Sequence, residues 1–511
     1  MKTIYLLCFL GFSWASAAQK IVYKEFLGKP TQKSVAIKVF FDAPVEISVQ
    51  YGLSSGKYTL ESPWQTGKAM EPIEISLTNL SPNTIYYYRI QYRVPTSAAV
   101  SFRPEYKFQT QRSVNTSFTF VVQSDPHLDE QSDSALFRLC LKNQLADKPD
   151  FMLDLGDILM TDKLKNAAGN IPRDTITYRS SLFRNYYETI SHSVPIFISM
   201  GNHEGENNFY IKQAPPNNLT VQATLWRKYY YPNPSPNSFY SGNQEVEDYG
   251  VGNPENYYAW TWGDALFVVL DAYRYQSIDG SSDKPKSWDW TLGKKQYDWM
   301  RSTIEGSKAK YKFVFAHHIR GQDRGALTNA KLYEWGGYDG DGKTYTFDKN
   351  RPGWGKPIHQ IFKDSGVTIF FQGHDHLFAK EDLDGIVYQE VPMPSDSTYE
   401  IGMLANADAY TANQKGGAGH VRVQVNPDNV KVDFVRAYLP ADTKSGSKQN
   451  QEIGFTYTIG TVKEPVVLET VVEDKDLQIH PNPANEQLLI QIPHGLGKAN
   501  FQMYSMAGQL M

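Results

Sequence analysis

Five short apolar runs, each ending on residues able to hold a cation, constrain this chain more than any other feature. FTFVVQS is followed by Asp125-Pro126-His127, DFMLDL by Gly156-Asp157, and PIFISM by Gly201-Asn202-His203-Glu204. KFVFA is followed by His317-His318, and TIFFQ by Gly373-His374-Asp375-His376. Continuous apolar runs suit strands buried on both faces of a sheet, as in α/β folds. In such sheets the carboxyl ends of the strands face the ligand crevice, and strand ends hold side chains more rigidly than free loops. Taken singly, each ending has a plainer reading. Asp-Pro-His, Gly-Asp and Gly-Asn-His are turn sequences, and His317-His318 would serve as a packed core pair. Five in succession are not explained as five separate turns. Of the 11 histidines six lie in these endings, whereas His192, His359, His420, His480 and His494 read as structural or surface residues.

The residue types point to chemistry. Asp, Asn and His form a mixed oxygen and nitrogen donor set, which suits zinc, iron or manganese rather than a thiolate site. Glycine ahead of Asp157, Asn202 and His374 permits the sharp turn that brings backbone close to an ion. Each Asp-x-His or His-x-His triplet aims its two outer side chains the same way. Cys140 lies in SALFRLCLKN, the buried face of a helix, and reads as core.

The remaining texture divides the 511 residues into several domains. Residues 1–18 read as a secretion signal: Lys2, an apolar stretch from Ile4 to Trp14 too short to span a bilayer, then Ala15-Ser16-Ala17. Its removal leaves Cys140 as the single cysteine, so no intramolecular disulfide forms. Residues 19–112 carry SVAIKVFF, VEISVQYG, PIEISLTNL, TIYYYRIQYR and EYKFQT, short strands at the spacing of a small β-sandwich. Within them Tyr86, Tyr88 and Ile90 alternate with Tyr87 and Arg89 as a half-buried strand does. Residues 113–460 contain the buried runs and a helix placing Tyr297, Met300 and Ile304 on one face. Within them, 319–358 read as a long loop, able to act as a lid, whose YDGDGK reads as a plain turn. HVRVQV, VKVDFVRAYL and FTYTI are expected to complete the second sheet of the core. A linker over 461–475 leads to a short unit at 476–511. A net charge of −4 gives no reason to expect a nucleic-acid scaffold.

Taken in order, D-x-H, G-D, G-N-H-E, H and G-H-x-H resemble the calcineurin-like metallophosphoesterases, over roughly 117–459. With the N-terminal sandwich, the layout is similar to the purple acid phosphatase branch. The sandwich itself resembles a fibronectin type III module through Leu80, Pro82, Thr84, Tyr86 and Tyr88. The resemblance implies a multidomain chain: a β-sandwich, then an α/β core in which two sheets are flanked by helices. It also implies two metal ions of the Fe, Zn, Mn or Mg class, divalent or mixed-valence. One would be held by Asp125, His127, Asp157 and His376, the other by Asp157, Asn202, His317 and His374, with Asp157 bridging. His317 is preferred to His318 because the family's ligand directly follows the strand, although Ile319 replaces the usual Pro. Met160 stands where purple acid phosphatases carry the tyrosinate ligand of ferric iron, which argues against such a centre here. His203 and Asp157 are the expected catalytic residues, His203 protonating the leaving oxygen. His318, Arg320 and Glu204 are expected at the substrate, with Glu204 and Asp129 also expected to orient ligands. The tail PNPANEQLLIQIP…FQMYSMAGQLM resembles the start of a type IX secretion sorting domain through Pro481-Asn482-Pro483 and Gly508. The closing strands and basic terminus of that domain have no match here, so the tail reads either as a shortened sorting unit or as a small β-appendage with no sorting role.

The expected function is an exported phosphomonoesterase in which two cations acidify a water and orient it toward phosphorus. Its partner would be a small phosphorylated substrate, with the secretion machinery a second partner through the tail and no transmembrane helix. The mature chain would be periplasmic, surface-held or secreted. A phosphodiesterase of nucleotides or phospholipid head groups is the nearest alternative, and a non-catalytic surface-binding protein a more distant one.

Overall fold

The computed structural model describes residues 19–161, 164–205, 213–276, 287–319, 324–401, 405–444, 446–461, 478–480 and 489–491. The N-terminal region is a two-sheet sandwich. Ile21–Gly28, Val35–Phe41 and Ile73–Leu77 form one sheet; Val45–Gly52 and Ile85–Arg93 centre the other. Ile37, Val39, Ile73 and Ile75 of the first meet Val45, Ile47, Val49, Tyr88 and Ile90 of the second in one apolar cluster. Each such side chain, fully buried, contributes about 1.5–3 kcal/mol. Tyr86, Tyr88 and Ile90 point inward as their alternation requires. The strand Ile21–Gly28 gives no clear sequence signal, because its first three residues are only partly buried and Lys24 is exposed.

Two further sheets form the core. The first runs Ile196–Ile198, Phe151–Asp154, Phe118–Gln123, Gly419–Val425, Asn429–Arg436, Ile453–Gly460, its first three strands parallel. The second has Ala265–Val269, Tyr311–Phe315, Ile369–Gln372 and Ile386–Glu390 parallel at its centre. The three late strands therefore complete the core sheet that contains Phe118–Gln123. Phe118 and Val425 face each other across an antiparallel register that fixes their place. Aromatic rings fill the space between the sheets: Phe120 lies 5.1 Å from Phe267 and 5.3 Å from Phe313, and Phe197 stacks on Trp260 at 4.1 Å.

Helices cover both outer faces. Arg173–Tyr187 and Leu219–Tyr230 pack on the first sheet, and Phe26 and Phe40 of the N-terminal sandwich join that same cluster. Lys294–Gly306 packs on the second sheet through Tyr297, Met300 and Ile304. The expectation of a loop or lid over 319–358 is corrected for its described residues. Leu327–Ala330, Tyr333–Gly336 and Phe347–Asn350 are single helical turns, and Ala326, Ala330 and Trp335 lie in the core cluster. Buried residues there are spaced too irregularly to show a helical period. Asp341 accepts from Lys343 N, Thr344 N and the Thr344 hydroxyl, so YDGDGK is the turn expected. Beyond residue 458 a separate unit contains the antiparallel pair Gln478–His480 and Leu489–Gln491; the linker and most of the tail lie outside the described residues. Among the described residues no helix is long and apolar enough to cross a membrane.

Candidate metal centre

The five strands singled out in the sequence deliver their endings to one place. The backbone there is unusual. Asp125, His127, Asp157, His374 and His376 all have positive φ, from 48° to 77°. Such conformations cost a non-glycine residue about 1–3 kcal/mol and persist where surrounding contacts over-determine them. Close approach explains two of the glycines. A Cβ on Gly201 would overlap the Asp157 carboxylate, and one on Gly373 would overlap Asp125 Oδ2.

The donors form two groups: Asp125, His127 and His376, then Asp157, His317 and His374, with the ligand atoms of each group within 4.8 Å of one another. Asp125 Oδ1 lies 3.5 Å from His127 Nε2 and 3.6 Å from His376 Nε2. Asp157 Oδ2 lies 3.0 Å from His317 Nε2 and 3.8 Å from His127 Nε2, so one oxygen faces both groups. The other carboxylate oxygens are engaged. Asp125 Oδ2 accepts from His374 N at 2.8 Å, and Asp157 Oδ1 from His203 N at 2.9 Å. The His317 Nδ1 donates to the Leu155 carbonyl at 3.1 Å, which turns Nε2 toward Asp157. That bond favours His317 over His318 as the donor.

Asp125 Oδ1, His127 Nε2, Asn202 Oδ1, His317 Nε2 and His374 Nε2 are all buried without a hydrogen bond. An unmet buried polar atom costs about 1–3 kcal/mol, and five of them converging fit a cation pair of the nitrogen- and oxygen-ligated class. The electrostatics agree. Burial opposes charge on His127 and His317, yet Asp125 and Asp157 raise both to about 9. Burial likewise opposes charge on Asp125 and Asp157, but His317 and its neighbours hold both well below the usual carboxylate range. Burial and the adjacent His318 push His374 well down, keeping its imidazole neutral. The two carboxylates thus draw protons onto His127 and His317.

The remaining expected residues separate. His203, side chain 13% exposed, places Nε2 3.8 Å from Asp157 Oδ2 at the rim. His318 is buried, its ring 4.9 Å from His374. Arg320 lies outside the described residues. Glu204 departs from its expected place at the substrate. It is 4% exposed, and its carboxylate accepts four backbone N–H groups, from Asp157, Ile158, Leu159 and Gly201. No acceptor capacity faces outward; Glu204 ties the Gly156-Asp157 turn to the Gly201-Asn202 turn. Asp129 accepts from Gln131 N and the Ser132 hydroxyl, both at 3.0 Å, within its own turn.

Asp375 was missed in the sequence. It points away from its flanking histidines, accepting from Gly325 N at 2.8 Å and from Arg324 Nη1 at 3.1 Å, and meets the Tyr410 hydroxyl at 2.7 Å. The alternation of His-Asp-His implied that opposite direction, but its partners come from distant segments without a local signature.

Two stacked sheets flanked by helices, with paired oxygen and nitrogen donor groups at the strand ends, define a dinuclear metallophosphoesterase. The chain belongs to the calcineurin-like phosphoesterase family, whose description matches residues 118–378, just over half its length. No curated protein matches the chain. Among solved structures, it is similar to the purple acid phosphatase PPD1 from yellow lupin (Lupinus luteus) seeds, at 14% identity and TM-score 0.57, over 85% of this chain and 74% of that one. It is similar also to PhoD, at 15% identity and TM-score 0.60, over 86% of this chain and 90% of that one. At these identities the likeness concerns the fold.

Proposed function

We propose that the protein is an exported phosphoesterase that hydrolyses phosphate monoesters. One observation carries the phosphoesterase part of this reading: the unpartnered donor atoms of two ligand groups converge, with Asp157 Oδ2 between them. Asp125, His127 and His376 would hold one ion and Asn202, His317 and His374 the other, with Asp157 shared. A divalent pair so held supplies an acidified water and neutralises charge on phosphoryl oxygens. The chain's own groups do the rest. Asp125 and Asp157 each keep one oxygen directed inward because a backbone N–H occupies the other. His203, partly exposed beside Asp157, is placed to deliver a proton from Nε2 to the leaving oxygen. His318, beside His374, is a candidate for a phosphate oxygen.

The buried Met160 offers no phenolate, which favours a divalent pair over tyrosinate-bound ferric iron. The leader-like residues 1–18 support export, and the strand spacing of 19–112 supports a fibronectin type III-like module. Pro481-Asn482-Pro483 supports a sorting role for the tail.

The test is hydrolysis of a chromogenic monoester beside the corresponding diester, by protein reconstituted with Zn, Mn, Fe or Mg, with Asp157→Asn as control. Monoester turnover lost in the control is the expected result. Preference for the diester would overturn the monoesterase reading, and no turnover of either would favour a binding role.

A further inference from the structure

The helix Arg173–Tyr187 carries two buried arginines with different partners, and one of them reaches the loops that bear the metal ligands. Arg179 is 4% exposed. Its Nε donates to the Leu159 carbonyl at 2.5 Å, its Nη1 to the Leu128 carbonyl at 2.8 Å, and its Nη2 to the His127 carbonyl. His127 and Leu128 have φ of 48° and 53°, and Met160, next to Leu159, has 41°. Left-handed residues carry their carbonyls out of regular pairing, and a buried carbonyl needs a donor. The planar fork of a guanidinium supplies several donors in fixed geometry, which a lysine ammonium does not.

From this geometry we infer that Arg179 is a positioning residue for the metal centre. It locks the His127 turn to the Asp157–Leu159 turn, and so sets the separation of the two donor groups. The inference rests on the reading of those groups as a dinuclear site. It goes beyond that reading by assigning metal affinity partly to a side chain that contacts no metal.

Arg184 provides the control. It lies on the same helix and is fully buried, but its Nη2 donates to the carbonyls of Lys24 and Lys38, and its guanidinium lies 4.8 Å from the Phe26 ring. All these contacts are in the N-terminal sandwich. Arg179→Met and Arg184→Met each remove one buried guanidinium from one helix, so a purely structural role predicts the same effect from both.

The experiment titrates Mn²⁺ calorimetrically into full-length wild type, R179M, R179K and R184M, and records the paramagnetic resonance of the bound ions. Both methionine variants are expected to melt earlier. R179M alone is expected to bind Mn²⁺ about 10–100-fold more weakly, the range for outer partners of metal ligands, and to lose the spin-coupled signal of adjacent ions. R179K is expected to lie between, and serves if R179M does not fold. Wild-type affinity and coupling in the Arg179 variants would overturn the inference alone, as would equal weakening in R184M. Failure of wild type to bind Mn²⁺ would instead overturn the dinuclear reading and this inference with it.

Discussion

Gly201→Ala isolates the geometry of the bridging residue from its chemistry. No ligand is removed. A Cβ on Gly201 would lie 2.9 Å from Asp157 Cγ, and closer still to Asp157 Oδ1 and N. Ordinary contact needs about 3.5 Å, so relief of the nearest clashes, 2.1 Å to Oδ1 and 2.4 Å to N, requires the Asp157 turn to retreat by roughly 1.1–1.4 Å. Retreat is resisted from the other side, because Glu204 holds Asp157 N at 2.9 Å and Gly201 N at 2.9 Å with one oxygen. Overpacking of this kind costs about 1–3 kcal/mol of stability. Displacing a reacting constellation by about 1 Å costs on the order of a hundredfold in rate. The variant should therefore fold with a lowered melting temperature, bind less than two equivalents of metal at micromolar protein, and lose about a hundredfold in kcat/KM. Metal content by mass spectrometry and monoester hydrolysis read these effects. A variant that melts earlier yet retains full metal content and wild-type kcat/KM would refute the claim that the Gly201–Asp157 contact sets the bridge.

Three further outcomes follow from the same site. Glu204→Gln places an amide NH2 against two of the four N–H groups it now accepts from; at about 1–3 kcal/mol per unmet donor the loss should be about 2–6 kcal/mol by chemical denaturation, and a wild-type midpoint would count against it. His317→Ala should abolish binding of the second ion, whereas His318→Ala should keep both ions and raise KM; the reverse result would reassign the ligand. His127 and His317 are raised to about 9 by Asp125 and Asp157. A raised histidine stabilises the metal-free fold fully below its unfolded pKa of about 6.5, and that stability is lost as pH rises through about 9. Metal binding must displace the same protons, so affinity rises over that window. Melting temperatures with and without metal should diverge as pH rises from about 6.5 to about 9, and a constant difference would contradict the assignment.

Much of the site was legible because its residues follow buried strands directly. Phe118–Gln123, Phe151–Asp154, Tyr311–Phe315 and Ile369–Gln372 are apolar runs whose ends are fixed by the change of residue type, so Asp125, Asp157, His317 and His374 could be placed from order alone. What lay in three-dimensional pairing was not legible. The sequence offers Glu204 as one more carboxylate near a ligand, and only folding shows its oxygens consumed by four N–H groups. Arg179 sits 52 residues from His127 along the chain, within a helix whose period explains its burial but not its carbonyl partners. Which of the two core sheets the late strands complete was not legible for a similar reason. A strand's texture reports that it is buried, while the register of Val425 against Phe118 decides which sheet it joins.

The central claim is that two ions sit side by side with Asp157 between them. Anomalous-difference maps from crystals grown with Zn²⁺ or Mn²⁺ test it most directly. Two peaks about 3.5–4 Å apart are expected, one against Asp125, His127 and His376, the other against Asn202, His317 and His374. A single peak, or two peaks that do not share Asp157, would contradict it.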